Sequence, residues 1–118
     1  MNIETLREYV LHKPLVTEGF PFGETTLVFK VNNKVFLLVP LEAGQLQFNA
    51  KCDPDKAIEW RDEYPDAVLP GFHMNKKHWN TVIADVNLSN KQLLQMVDDS
   101  YALVVGPRKS PRKKSNKL

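Results

Sequence analysis

A chain of 118 residues with 42% hydrophobic and 25% charged residues suits one globular domain. The net charge of +2 is unevenly spread: six of the sixteen Lys and Arg follow Pro107, leaving ten against fourteen acids before it, about −4. No apolar run nears the ~20 residues that span a bilayer, the acidic start Met1–Glu8 lacks the basic and apolar regions of a signal peptide, and the single Cys52 excludes an internal disulfide, so the expected setting is the reducing cytoplasm.

The pattern from Asn2 to about His12 predicts a helix. Asn2 can cap it, and Ile3, Leu6, Tyr9 and Val10 recur at helical spacing until Lys13-Pro14 stops it. Val16 to Gly23 reads as a connector, with Phe20 and Phe22 expected to tuck under the fold. Thr26–Val31 and Lys34–Val39 are β-rich runs joined by Asn32-Asn33, a hairpin signal because Asn tolerates positive φ. After the Glu42-Ala43-Gly44 turn, Leu46, Phe48 and Ala50 alternate with Gln47, Asn49 and Lys51, which predicts a strand with one buried and one wet face.

Asp53-Pro54 opens a second helix, with Asp53 as cap and Pro54 at the first turn, where its missing N–H costs nothing. Ala57, Ile58, Trp60, Arg61 and Tyr64 form its expected stripe, and Pro65 ends it. Short strands are expected near Ala67–Leu69 and Trp79–Ala84. The last helix starts at a Ser89–Gln92 capping box with a Leu88/Leu93 staple, and Gly106-Pro107 closes it. The predicted order is α-βββ-α-ββ-α. Strands in runs predict an α+β domain over 1–106, an antiparallel sheet with helices packed on one face. Residues 107–118 form a basic tail expected to be disordered.

The densest chemistry lies between the last two predicted strands, in Pro70-Gly71-Phe72-His73-Met74-Asn75-Lys76-Lys77-His78-Trp79-Asn80-Thr81. A polar, aromatic and cationic loop at a strand end is a usual place for recognition chemistry.

The stretches FPFGETTLVFKV, KCDPDKAIEWRDEYP, VLPGFHMNKKHWNTV and MVDDSYALVV, in this order and spacing, resemble the MmcQ/YjbR family of small bacterial proteins over about Met1 to Val105. The resemblance implies a frataxin/CyaY-like fold and a DNA-binding role by likeness to a double-wing motif. It carries no catalytic residues across. The chain departs from the family pattern at Asp85-Val86-Asn87, where relatives usually have a Gly-containing turn, and in its basic tail.

Four chemistries are open to these residues. His73 and His78 could bind metal with Cys52 or Asp53, but the H-x4-H spacing on a loop lacks a third and fourth partner, and no metal is expected. Cys52 precedes a helix start, whose dipole can lower a thiol pKa, yet no oriented base or oxyanion hole accompanies it, so no catalytic residue is assigned and a non-enzymatic protein is expected. DNA is the leading expected partner. Lys76, Lys77, His78 and Asn80, the hairpin lysines Lys30 and Lys34, and the tail's Arg108, Lys109, Arg112, Lys113 and Lys114 would supply largely nonspecific, salt-dependent phosphate contacts. The alternative is a small-ligand or protein interaction module on loop 71–80, with His73, Asn75, Lys76, Trp79 and Asn80 beside an apolar wall of Phe72, Met74 and Trp79. No cofactor and no membrane contact is expected, and a monomer is the simplest state.

Overall fold

The computed structural model describes residues 1–106. Asn2 caps α1 (Ile3–Leu11) by accepting from the Thr5 N–H at 2.8 Å. The connector expected after it is a strand at its start: β1 (Val16–Gly19) pairs with β2 (Thr26–Val31). Four residues ending in glycine give too little alternation to read as a strand. Phe20 and Phe22 do not tuck under the fold; they stand 50% and 67% exposed. The observed order is therefore α-ββββ-α-ββ-α.

β2 turns into β3 (Lys34–Pro40) through Asn32 and Asn33, whose φ angles of 53° and 62° are those of a type I′ hairpin. The ladder then slips, with Lys30 opposite Val35 but Phe29 opposite Leu37, so Phe36 is an extra, bulged residue. β4 (Gln47–Lys51) leads into α2 (Pro54–Glu63), where Asp53 Oδ2 accepts from the N–H groups of Asp55 and Lys56. Ile58, expected in the buried stripe of this helix, is exposed. β5 (Val68–Pro70) and β6 (Trp79–Ile83) precede α3 (Asn90–Val105), which starts with both halves of the Ser89–Gln92 capping box formed.

The six strands make one antiparallel sheet in the order β1-β2-β3-β4-β6-β5, with the two shortest strands at its edges. α1 packs on β1, α3 crosses β2 to β4, and α2 packs on β5. Leu6 and Val10 of α1 and Leu93 and Val97 of α3 share one core with Phe29, Phe36, Leu37, Phe48, Val68 and Val82. Ser100 sits under α3 with no exposure. Its Oγ accepts the Lys51 N–H at 2.8 Å and donates to the Phe36 carbonyl, so the hydroxyl bridges β4 and β3 beyond their Leu37–Ala50 pair. No helix among the described residues is long and apolar enough to cross a membrane.

A candidate ligand site on the open face of the sheet

Strand alternation divides the side chains between two faces. The helix side takes Phe48, Ala50 and Val82 into the core. The other face carries Thr26, Val28 and Lys30 from β2, Val35, Leu38 and Pro40 from β3, Gln47, Asn49 and Lys51 from β4, and Trp79 and Thr81 from β6, following the strand registers. Two loops flank this face. Phe22 approaches from the β1–β2 connection, and Phe72, His73 and Met74 approach from the β5–β6 connection. Between them lies a pocket of about 570 Å³ lined by those four residues with Val35, Leu38, Asn49, Trp79 and their neighbours. Among the described residues no Asp, Glu, Lys or Arg lines it, and exposed His73 is the one titratable side chain in the lining.

The β5–β6 loop is held by backbone bonds that its sequence specifies. Gly71 donates to the Trp79 carbonyl at 2.9 Å, and a Cβ on Gly71 would lie 2.9 Å from Trp79 Cβ and 3.0 Å from Trp79 O, so only glycine allows this approach. Asn75 Oδ1 accepts the Lys77 N–H at 3.0 Å, and the Asn75 carbonyl accepts from His78 and Trp79. Arg61 of α2 donates to the Lys76 carbonyl at 2.9 Å. The Phe72 N–H donates to Thr81 Oγ1 at 2.9 Å, and that hydroxyl donates onward to Asn49 Oδ1. The pocket floor is thus wired to the loop that forms its wall.

The residues expected at a site separate into distinct places. Trp79, His73, Phe72 and Met74 meet in the pocket. Asn75 commits its side chain to the turn, and Lys76 and Lys77 are exposed outside the lining, as Lys34 is at the hairpin. His78 is half-buried and outside the lining, and Lys30 lies on the open face further toward β1. Asn80 corrects the sequence reading. One residue beyond Trp79, it points to the helix side, is 2% exposed, and its amide oxygen and nitrogen have no partner among the described residues. It can touch neither a phosphate nor the pocket. Arg108, Lys109, Arg112, Lys113 and Lys114 lie outside the described residues. Sequence reasoning missed Phe22, Val35, Leu38, Gln47 and Asn49. The signal for the last two was the alternation of β4, read there only as a wet face.

Cys52 is buried at the end of β4, and burial, helped by Asp99 and Asp53, pushes its thiol up to about 11. The helix start does not activate it: burial raises the thiol most, and the carboxylates of Asp99 and of Asp53, the cap itself, add to that rise. Among the described residues, no three His, Cys, Asp or Glu side chains gather as a metal site would need.

A family model described as YjbR matches residues 11–103, which include the hairpin, the loop and most of α3. The chain belongs to the YjbR family. Among YjbR relatives, "Uncharacterized protein YbdF" of Escherichia coli O157:H7 is 38% identical over 102 residues, covering 86% of this chain and 83% of the relative. "Uncharacterized protein YjbR" of Escherichia coli K12 is 30% identical over 105 residues, covering 89% and 88%. The crystal structure of Deinococcus radiodurans protein DR2400, with domain DUF419, superposes with a TM-score of 0.84 at 34% identity, covering 95% of this chain and 83% of that one. A Pseudomonas syringae protein gives a TM-score of 0.72 at 25% identity, covering 88% of this chain and 99% of that one. The YjbR match thus reaches from the whole sheet to both loops that flank the pocket.

Proposed function

We propose that this chain is a non-enzymatic binding protein that holds a small ligand on the open face of its sheet. The observation that carries this reading is the pocket between Phe22 and the Phe72–Met74 loop. Its volume of about 570 Å³ falls in the range of small-molecule sites. Its walls are aromatic and aliphatic, and apart from the exposed His73 its few polar groups come from the sheet floor, which rigid strands position. The exposed Phe22 and Phe72 form an apolar mouth that water solvates poorly. The test is a fragment screen observed by NMR. Fragments that move the Trp79 indole signal and compete with one another support the pocket. A screen in which none perturbs Trp79 or Phe72 overturns it.

DNA binding is the second reading, and one observation favours it. The β2–β3 hairpin tip, the end of β4, the β5–β6 loop and the end of α3 all lie at one end of the sheet, as the registers and the Ser100–Lys51 bond require. Lys30, Lys34, Lys51, Lys76 and Lys77 therefore share that end, and the chain leaves Gly106 toward its basic tail there. In a frataxin/CyaY-like, double-wing reading of this α+β fold, the hairpin is the wing and the tail adds phosphate contacts. Fluorescence anisotropy with duplex DNA across a salt series, on residues 1–118 and 1–106, tests it. Affinity retained by 1–106 and reduced by joint replacement of Lys76 and Lys77 with Ala supports the folded interface. No binding by either chain at low salt removes it.

A further inference from the structure

We infer that the pocket selects an apolar ligand bearing an acceptor oxygen, a carbonyl or carboxylate on a flat hydrophobic body, and rejects amines. This inference rests on the small-ligand reading above. Its basis is the hydrogen-bond relay behind the floor. A hydroxyl has one hydrogen to give. Thr81 Oγ1 already receives the Phe72 N–H, so its own hydrogen is free for Asn49 Oδ1, the acceptor within reach. That bond engages the oxygen of the Asn49 amide and leaves Nδ2, which carries two N–H groups, as the group Asn49 offers to the pocket it lines. The orientation is set by the loop backbone. A ligand that enters the pocket meets it ready made.

The surroundings sharpen the preference. Val35, Leu38, Phe22, Phe72, Met74 and Trp79 make most of the lining apolar, with Gln47 and Thr26 as the other polar groups of the floor, and in such a site an unmatched donor is costly and a matched one is strengthened. Among the described residues no carboxylate lines the pocket to neutralise a cation. Lys51 stands opposite Trp79 in the ladder, and Lys76 and Lys77 lie on the adjoining loop, so the field at this end favours an anion over an amine. Phe22, Phe72 and Trp79 all line the pocket, so a flat aromatic body meets ring surface there.

The experiment compares 2-naphthamide, 2-naphthoate and 2-naphthylmethylamine, three probes with one body and different heads. Binding is followed on the full chain through the Trp79 indole and the Asn49 side-chain NH2 signals in nitrogen-15 NMR, assigned with Trp79→Phe and Asn49→Leu. The amide and the acid should bind at least about 10-fold tighter than the amine, as one or two hydrogen bonds in an apolar site allow, and should shift the Asn49 NH2 pair. Asn49→Asp keeps an oxygen for Thr81 and turns the other group into an acceptor, so naphthoate should weaken at least 10-fold and the amine should gain. Asn49→Leu should remove the advantage of the neutral amide over the amine and leave the acid only the preference that the lysine field supplies. If the probes bind at Trp79 with equal affinity, or if Asn49→Asp leaves their order unchanged, the acceptor preference is wrong while the pocket stands. If none reaches Trp79, the pocket reading fails first.

Discussion

Replacing Asn80 by Leu should stabilise the fold. Asn80 is 2% exposed on β6, between β4 and the edge strand β5, and both of its amide atoms lack partners among the described residues. Leaving a buried amide unmatched costs about 1–3 kcal/mol in proteins. Leu has the same number of side-chain heavy atoms as Asn and no polar group. The space it needs is at hand: a void of about 10 Å³ lies between Asn80, Ala50, Cys52, Val82, Met96 and Asp99. That void is at the lower limit for one water. Some of the gain will go to accommodating a tetrahedral branch in place of a planar one, so a net of about 1–2 kcal/mol is expected. At about 4–8 °C per kcal/mol for a domain of this order, the melting midpoint should rise by roughly 4–15 °C. Urea unfolding should show a higher midpoint with an unchanged slope. A loss of about 1 kcal/mol or more would refute the reasoning, because it would mean the amide is satisfied, with a water in the void as its partner. The same variant should bind the naphthyl probes like the natural chain, since Asn80 faces away from them.

Ser100→Ala should destabilise by about 2–3 kcal/mol in urea, since it strands the Lys51 N–H and the Phe36 carbonyl under α3. Gly71→Ala should cost about 1–3 kcal/mol by forcing the loop off Trp79, and should shift Trp79 emission toward that of a solvated indole. With its thiol held at about 11 against an ordinary 9.0, Cys52 should react with iodoacetamide at pH 8 about 100-fold more slowly than in the urea-unfolded chain. Between those two values the unfolded thiol releases its proton while the folded one keeps it, so stability should fall as pH rises through that window, and Cys52→Ala should remove this part of the alkaline loss.

Local chemistry made much of the fold legible. Asn2, Asp53 and Ser89 cap their helices through bonds their sequence positions foretell, and the Asn32-Asn33 pair could scarcely form anything but a tight hairpin. β1 escaped because an edge strand of four residues owes its existence to β2, which no local pattern reports. The site was half legible for a related reason. Its loop announced itself by composition, but its floor is made of residues that meet only when β2, β3, β4 and β6 lie side by side. Asn80 shows the limit most clearly. Polar and beside Trp79, it belonged with the loop by type, yet strand alternation sends it to the opposite side of the sheet, and one residue of parity decides its role.

The edges of the sheet bear on how the protein behaves when concentrated. An edge strand is a template that another chain can copy. Here β1 offers four residues, with Glu18 held by Arg7 on α1, and β5 offers three, the last of them Pro70, which has no N–H to give. Neither is long enough to seed growth of a second sheet. Dense solutions of the folded protein should therefore resist fibril formation, and crowding at an expression level or in an NMR tube should bring copies together through side chains, reversibly, and not through backbone.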